Sequence, residues 1–507
     1  MPSSSRVFLP LSWALRLVLA LLAGALVTLA LAPFNLWLLA LLSPALLFAL
    51  LDHLSPRQSA LLGLAYGTGF FGAGVSWVYV SIHTFGGASP ALASLMTLAF
   101  ILALALLFMC QTYLYQRLCG RSLYRALGFC GLWLLFEWLR SWFLTGFPWL
   151  YLGYAWIDTP WAPLAAVTGV WGLSLLSVLL GCSLYAAWQQ KRAVWLSVWL
   201  LPALLLLLPQ SWTQADPEKG SLRVAVIQPD ISQHDKWRAD FLPGLLDKQI
   251  QLSQQHLDVD LILWPETAIP TLYYQAAPYV EPFFDQLDDL DITLISGFPY
   301  MTFYAESPDR PVFHNSLAIF SVGVGVYHKQ RLVPFGEYVP FEAQLRGLID
   351  FFDLPMSEFS LPPSSELILA VQNFAIAPLI CYEIAYPELT RKSAAISDLL
   401  LTVSNDAWFG RSIAGDQHFQ IARMRAIENG RWLVRGTNDG ISALVDAQGQ
   451  VIKQAERFSA TSFSAEAPAL QGQTPYQRWG VWPSLVLSLI FLILGGPRFR
   501  NPLKQHS

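Results

Sequence analysis

Cys381 is the residue of this chain whose setting best suits nucleophilic catalysis. It is the only cysteine between residues 211 and 480, and it directly follows the apolar, strand-like run 374–380. A lone thiol has no partner for a disulfide within that region, and the end of a strand is a place where a nucleophile can be presented. The sequence therefore predicts Cys381 as a candidate catalytic nucleophile.

Two further strand ends carry charged side chains that a nucleophile needs. Glu266 comes shortly after the apolar run 261–264, and Lys329 directly follows the run 325–328. Charged groups at the carboxyl ends of apolar strands tend to meet in one crevice of an α/β fold. There, a carboxylate, an ammonium group and a thiol supply a general base, an oxyanion stabiliser and a nucleophile. Each alone is more often a strand cap or a small buried side chain, so the prediction depends on all three together.

The elements that would position these residues alternate between strands and helices. Helices are predicted over 237–257 and 415–429. Strands are predicted over nine runs: 222–227, 261–264, 292–296, 316–320, 325–328, 374–380, 399–403, 432–435 and 441–445. Such an alternation predicts a layered α/β domain with a largely buried sheet.

The rest of the chain is too apolar for a soluble enzyme. Of the 507 residues, 54% are hydrophobic and 13% are charged. A transmembrane helix needs roughly 20 apolar residues, and we identify eight such runs: 12–31, 34–51, 60–82, 90–114, 125–143, 163–188, 193–209 and 481–496. We therefore expect a membrane domain of seven transmembrane helices over 1–210, an extramembrane domain over 211–480, and an eighth transmembrane helix with a tail over 481–507.

Lysines and arginines lie on one side of this arrangement. They occur in both tails and in the loops after the second, fourth and sixth runs, whereas the loops near 32, 83–89 and 144–162 contain none. By the positive-inside rule both termini are cytoplasmic, and 211–480 then lies outside, in the periplasm of a bacterium with an inner membrane. A cleaved signal peptide ending near Ala32 is the alternative for the first run, but Pro33 follows directly and the charge alternation requires that helix.

The predicted extramembrane domain is acidic. Its 19 lysines and arginines stand against 32 aspartates and glutamates, a net charge of −13 that leaves +9 on the membrane part. An acidic surface argues against a nucleic-acid partner. The eight histidines have no zinc-ligand spacing, and Gly323-Val324-Gly325 lacks the third glycine of a dinucleotide site. Neither a metal nor another cofactor is expected.

Four segments, 264–267, 328–340, 380–383 and 404–410, resemble the nitrilase (carbon-nitrogen hydrolase) superfamily and, within it, the apolipoprotein N-acyltransferase family. The resemblance extends to the eight-span layout and implies a four-layered αββα sandwich for the outer domain. It implies that Glu266 is the general base, Lys329 the catalytic lysine and Cys381 the nucleophile. It also implies that Glu337, eight residues after the lysine, is a second acid of the site.

The resemblance further implies substrates that are anchored in the lipid bilayer. A glycerophospholipid would donate an acyl chain to the thiol, and the free α-amino group of an apolipoprotein's N-terminal diacylglyceryl-cysteine would accept it from the thioester. Trp237 and Tyr382 match positions that help hold substrates. We add Glu383 and Trp149 to the substrate-binding candidates, although Trp149 also suits a membrane-interface anchor.

The segment 345–359 is unusually apolar for a connection. Two interpretations are open for it: a mobile lid or acyl-chain contact, or a loop packed on the domain.

Two other functions fit parts of the sequence. A membrane-tethered amidase or nitrilase would use the same catalytic residues and release a free acid with water, but seven preceding spans would be an unusual tether. A transporter with a ligand-binding outer domain is the second alternative. Its substrate path should contain buried charges, whereas the predicted spans hold few, mainly Arg16, Glu137 and Arg140. The carboxylate, lysine and thiol together favour chemistry over transport.

Overall fold

The computed structural model describes residues 12–119, 124–304, 307–339, 358–364 and 366–496. Among these residues the secondary structure is helical up to residue 205, and from residue 214 to 471 strands and helices alternate. Two helices follow the last strand. We refer to residues 12–205 and 475–496 as the helical part, and to residues 214–471 as the α/β part.

The helical part contains ten α-helices: α1 Trp13–Ala30, α2 Leu39–Leu50, α3 Pro56–Gly74, α4 Val78–Val80, α5 Pro90–Leu118, α6 Arg125–Arg140, α7 Ala165–Gln190, α8 Leu200–Leu205, and, after the α/β part, α13 Pro475–Trp479 and α14 Trp482–Gly495, counted among the described residues. Ser12, Ser55 and Ser89 cap α1, α3 and α5 by accepting a hydrogen bond from a backbone N–H of the first turn. In α3 and α5 a proline follows the cap, where its missing N–H breaks no helical hydrogen bond.

Each of the eight predicted apolar runs overlaps at least one of these helices. Within the described residues, the segments Trp13–Ala30, Pro90–Leu118 and Ala162–Gln190 are long and apolar enough to cross a membrane. Pro56–Gly74 and Val78–Phe85 add a fourth if they form one span, although they meet at an angle of 61°. Other apolar helices are shorter, so the count of eight spans stays a prediction.

The α/β part contains fourteen strands in the described residues: β1 Gln214–Ala215, β2 Ser221–Gln228, β3 Leu261–Leu263, β4 Thr293–Tyr304, β5 Ser307–Ile319, β6 Val326–His328, β7 Leu369–Val371, β8 Phe374–Ile380, β9 Leu399–Ser404, β10 Leu433–Thr437, β11 Ala443–Val445, β12 Val451–Gln454, β13 Thr461–Pro468 and β14 Leu470–Gln471. One six-stranded sheet has the order β13-β2-β3-β4-β5-β6, and the other has the order β12-β11-β10-β9-β8-β7. The α-helices of the α/β part, counted among the described residues, are α9 Leu242–Ser253, α10 Tyr273–Asp289, α11 Pro387–Ala394 and α12 Ala414–Asn429.

The two sheets pack face to face with helices on both outer faces. Because side chains alternate along a strand, Val224 and Val226 of β2 pack against the other sheet, whereas Ala225 and Ile227 pack towards α9 and α10. On the second sheet, alternate residues face α11 and α12 instead. Fully burying one such aliphatic side chain contributes about 1.5–3 kcal/mol. These four layers confirm the αββα sandwich implied by the resemblance.

The predicted elements were incomplete at the edges of the sheets. The predicted strand 316–320 is only the end of β5, which runs antiparallel to β4 in a long hairpin. Strands β1, β7, β12, β13 and β14 and helices α10 and α11 were not predicted. Strand β13 has buried and half-exposed residues mixed along its length, so its side chains lack the continuous apolar pattern on which the prediction depended.

Helix α12 joins the two parts of the molecule. Its Gln420 side chain accepts a hydrogen bond of 3.1 Å from the Ala32 N–H, and its Glu428 accepts one of 2.7 Å from the Val170 N–H. Several of its apolar residues belong to the same buried cluster as helices α1 to α7. The α/β part is therefore seated on the helical part through a helix that also borders the candidate active site.

Candidate active site

The ends of three strands converge on one site, as the sequence predicts. Glu266 follows β3, Lys329 follows β6, and Cys381 follows β8. The side chains of Glu266 and Lys329 are 8% and 1% exposed, and the Lys329 Nζ lies 3.3 Å from Oε1 of Glu266. Cys381 is half-buried. A charged pair shielded from water thus lies close to a half-buried cysteine.

A fourth predicted residue, Glu337, completes the charged cluster. Its Oε1 lies 2.7 Å from the Lys329 Nζ. Asn315 of β5 joins the two carboxylates, since its Nδ2 donates to Oε1 of Glu266 at 2.9 Å and to Oε1 of Glu337 at 2.8 Å. The other oxygen of Glu266 accepts the Asn405 backbone N–H at 2.9 Å. The lysine is therefore held between two carboxylates whose positions are set by neutral donors.

Electrostatics keep the carboxylate ionised and the thiol protonated in the resting site. Burial opposes ionisation of Glu266, but the Lys329 cation and the Asn315 hydrogen bond outweigh it, so the pKa of Glu266 is lowered. Burial and the Glu266 charge together raise the pKa of Cys381 well above its usual value, with Lys329 opposing them. Burial disfavours the Lys329 cation, yet the two carboxylates raise its pKa.

The backbone presents Cys381 on a sharp turn. Its φ is +53°, in the left-handed region that few residues other than glycine adopt. Glu383 closes this turn: its carboxylate accepts hydrogen bonds from the Ile380 N–H at 2.7 Å, the Tyr327 hydroxyl at 2.9 Å and the Gln330 N–H at 2.5 Å. We refer to residues 380–383 as the nucleophile turn. Glu383 ties this turn to the loop that follows Lys329.

Glu383 is 0% exposed, and burial raises the pKa of its carboxyl to about 7. Its oxygens are occupied by groups of the chain itself. In place of the substrate contact predicted from the sequence, we propose a positioning role for Glu383.

Tyr382 connects the nucleophile turn with the helical part. Its hydroxyl donates to the Gly146 carbonyl at 3.2 Å, and its ring stacks on Trp149 with ring centroids 6.4 Å apart. Trp149 is only 2% exposed and donates its indole N–H to Oε1 of Gln417 at 2.8 Å. The interpretation of Trp149 as a membrane-interface anchor is therefore wrong, because its ring is covered by protein on the side of Tyr382 and α12.

Trp237 directly follows a residue that contacts Glu266. It is half-buried, and the preceding residue, Lys236, donates from its Nζ to the Glu266 carbonyl oxygen at 3.0 Å. Burial lowers the pKa of Lys236 to about 8.

Of the predicted lid, residues 345–357 lie outside the described residues, while Phe359 is buried. No group of three or more histidine, cysteine, aspartate or glutamate side chains in the described part of the chain could hold a metal ion.

Known protein families match both parts of the chain. A family model described as apolipoprotein N-acyltransferase N-terminal domain matches residues 23–183, and one described as carbon-nitrogen hydrolase matches residues 223–476. The apolipoprotein N-acyltransferase of Pseudomonas syringae pv. tomato is 44% identical over 489 residues, which cover 94% of this chain and 95% of that protein. The chain belongs to the apolipoprotein N-acyltransferase family.

A second relative has similar coverage. The apolipoprotein N-acyltransferase of Pseudomonas aeruginosa is 44% identical over 486 residues, 94% of this chain and 94% of that protein. Among solved structures, a carbon-nitrogen hydrolase from Helicobacter pylori G27 is 17% identical over 48% of this chain and 89% of that chain, with a TM-score of 0.35.

Several residues of the candidate active site were not predicted. They are Lys236, Asn315, Asn405, Asp406, His418 and Arg435. Asn405 and Asp406 lie in the quoted segment 404–410, so the resemblance could have drawn attention to them. Asn315 directly precedes a predicted strand. Nothing in the sequence points to His418, which lies inside a helix and reaches the site only through the packing of α12.

Proposed function

We propose that this chain transfers a fatty acyl chain from a glycerophospholipid to the α-amino group of the N-terminal diacylglyceryl-cysteine of apolipoproteins, and so completes lipoprotein maturation. One observation carries this proposal: a shielded carboxylate and ammonium group, Glu266 and Lys329, converge on the half-buried thiol of Cys381. Membership of the apolipoprotein N-acyltransferase family supports the same reaction. The enzyme is an acyltransferase.

The first half-reaction forms a thioester. Glu266 accepts the thiol proton while the sulfur attacks the acyl ester carbonyl of the phospholipid. The Lys329 ammonium group stabilises the oxyanion of the tetrahedral intermediate. The bond between the acyl carbon and the glycerol oxygen then breaks, and protonated Glu266 returns its proton to that oxygen, so a lysophospholipid leaves. Because the pKa of the thiol is raised, its proton is removed during attack and not before it.

The second half-reaction transfers the acyl chain to nitrogen. The neutral α-amino group of the diacylglyceryl-cysteine attacks the thioester carbonyl, and Glu266 accepts the proton that nitrogen loses. Lys329 again stabilises the oxyanion. The carbon–sulfur bond breaks, an amide is left on the apolipoprotein, and Glu266 returns its proton to the sulfur of Cys381. Thiol and carboxylate are then ready for another cycle.

The packing of the α/β part against the helical part supports an active site close to the bilayer. Tyr382, beside the nucleophile, contacts Gly146 and Trp149 in the connection between α6 and α7. Both substrates are lipids anchored in the membrane. An active site close to the bilayer surface can therefore bind them without moving either lipid completely into water. We propose that Trp237 and Tyr382 contact the substrates, that the buried Trp149 supports Tyr382 from behind, that the α/β part is periplasmic, and that both termini are cytoplasmic.

An acyl adduct on Cys381 tests the proposed reaction. Incubation with phospholipid is expected to add the mass of one acyl chain to the intact protein, and hydroxylamine should remove it because thioesters are cleaved readily. Cys381→Ala should form no adduct, whereas Cys110→Ala, which changes an exposed cysteine of the helical part, should form it normally. A diacylglyceryl-cysteine peptide with a free amino group should then take up the acyl chain. Release of free fatty acid without N-acylation would instead support a hydrolase.

The orientation can be tested in intact cells. A membrane-impermeant thiol reagent is expected to label a cysteine introduced at Asp309 but not one introduced at Lys504, because the loop lysines and arginines place the termini inside. The parent protein without either new cysteine provides the background. Labelling of both positions in intact cells, or of the Lys504 position alone, would contradict the proposed orientation.

A further inference from the structure

The backbone carbonyl of Cys381, the proposed nucleophile, is held by a histidine from another element. Nε2 of His418, on α12, lies 3.1 Å from the backbone oxygen of Cys381. The His418 side chain is 1% exposed. A carbonyl oxygen only accepts hydrogen bonds, so Nε2 is the donor in this contact. The proposed reaction gives this imidazole no part in bond making.

The other ring nitrogen of His418 is fixed by a buried ion pair. Its Nδ1 lies 3.0 Å from Oδ1 of Asp406 and 3.1 Å from Nη2 of Arg435. Arg435 also donates to Oδ2 of Asp406 at 2.9 Å. Burial opposes the Asp406 charge, but Arg435 and His418 outweigh it and hold the pKa of Asp406 below its usual range. The imidazole is thus oriented by groups that follow β9 and lie on β10.

Aromatic rings hold the same imidazole from the sides. The Trp149 ring centroid lies 5.6 Å from that of His418, and the Phe409 centroid lies 6.5 Å from it. Trp149 belongs to the helical part, so both parts of the molecule help to position His418. A side chain enclosed in this way has little freedom to follow a moving backbone.

The nucleophile turn needs such a restraint. With φ at +53°, the backbone of Cys381 is in a region that persists only when its surroundings enforce it. Glu383 holds the Ile380 N–H on one side of Cys381, and His418 holds the carbonyl on the other. Relaxation of this turn would move the sulfur away from Glu266 and Lys329, and a shift of about 1 Å can cost about 100-fold in rate.

We propose that His418 is a positioning residue which holds the Cys381 carbonyl and thereby keeps the thiol aligned with Glu266 and Lys329. Within the proposed acyl transfer this adds a residue to the machinery of the same site, and the inference rests on that function for its kinetic consequence. Its geometric consequence, the environment of the thiol, does not depend on which acyl group is transferred.

Two amide substitutions separate the two hydrogen bonds of the imidazole. His418→Gln places an amide nitrogen where Nε2 lies and can still donate to the Cys381 carbonyl. His418→Asn places its amide where Nδ1 lies and keeps only the contact with Asp406. We expect His418→Gln to form the acyl adduct within about threefold of the wild-type rate and His418→Asn to be slower by about 100-fold.

Two further measurements complete the experiment. One is the thermal unfolding midpoint of each variant, and the other is the rate of Cys381 alkylation by iodoacetamide across pH, measured by peptide mass. In wild type and His418→Gln, the midpoint of this pH profile should lie at a higher pH than that of an ordinary thiol. In His418→Asn it should move towards the ordinary value, because the sulfur leaves both its buried position and the Glu266 charge, which raise the thiol pKa. Equal adduct rates in both variants, or equal losses with unchanged alkylation profiles, would overturn the proposal. If wild type formed no adduct, the proposed function would fail, while the alkylation profiles would still decide the role of His418.

Discussion

Replacing Cys381 by serine is expected to reduce phospholipid-dependent acyl-enzyme formation and overall acyl transfer by at least about 1,000-fold, because an essential nucleophile is lost. A hydroxyl is far less acidic than a thiol, and the lowered pKa of Glu266 makes its carboxylate a weak base for it. The side chain is only half-buried and differs by one atom, so the fold should be unaffected.

Intact mass and N-acylation of a diacylglyceryl-cysteine peptide measure this loss. Cys110→Ser is the matched control, since that cysteine is exposed in α5. Near-normal turnover by Cys381→Ser would remove Cys381 from the role of nucleophile.

Glu266→Gln and Lys329→Met are expected to suppress acyl transfer while changing the thiol in opposite directions. Loss of a general base costs about 10²–10⁴-fold, and loss of one oxyanion stabiliser costs about 10²–10³-fold. The negative charge of Glu266 raises the pKa of Cys381, and the positive charge of Lys329 lowers it. Glu266→Gln should therefore lower the thiol pKa and speed alkylation near neutral pH, whereas Lys329→Met should raise that pKa and slow alkylation.

The rates of adduct formation and of iodoacetamide alkylation at Cys381 measure these effects across pH. Glu388→Gln and Lys453→Met are matched controls, because each changes the same residue type at an exposed position of the α/β part. Normal thioester formation by Glu266→Gln would require a different base for the first half-reaction. Parallel changes in alkylation by both variants would argue that they disturb the fold and not the charge at the thiol.

The proposed catalytic residues were predictable because each closely follows an apolar strand. Strand-like runs before Glu266, Lys329 and Cys381 are short and continuous, and their carboxyl ends meet at one site. Residues 264–267, 328–340 and 380–383 also carry enough of the family pattern for the resemblance to predict Glu337. Local sequence thus contained both the elements and the side chains that they deliver.

Residues that orient this set were not predictable in the same way. Asn315 reaches Glu266 and Glu337 only because β5 pairs with β4 and β6. Trp149 belongs to a connection of the helical part, yet it lies against Tyr382. These contacts join residues that are far apart along the chain, so the periodicity of a single helix or strand does not predict them.

The sequence by itself determined that this chain has long apolar helices beside an acidic α/β domain, and which thiol, carboxylate and lysine follow its strands. Hydrophobic periodicity and strand-end chemistry are local properties, so they are legible without coordinates. Only the tertiary structure decided that Glu383 turns inward to hold the nucleophile turn and that His418 reaches the Cys381 carbonyl. These roles depend on where a buried polar group finds its partner, and packing of the sheets, α12 and the helical part selects that partner.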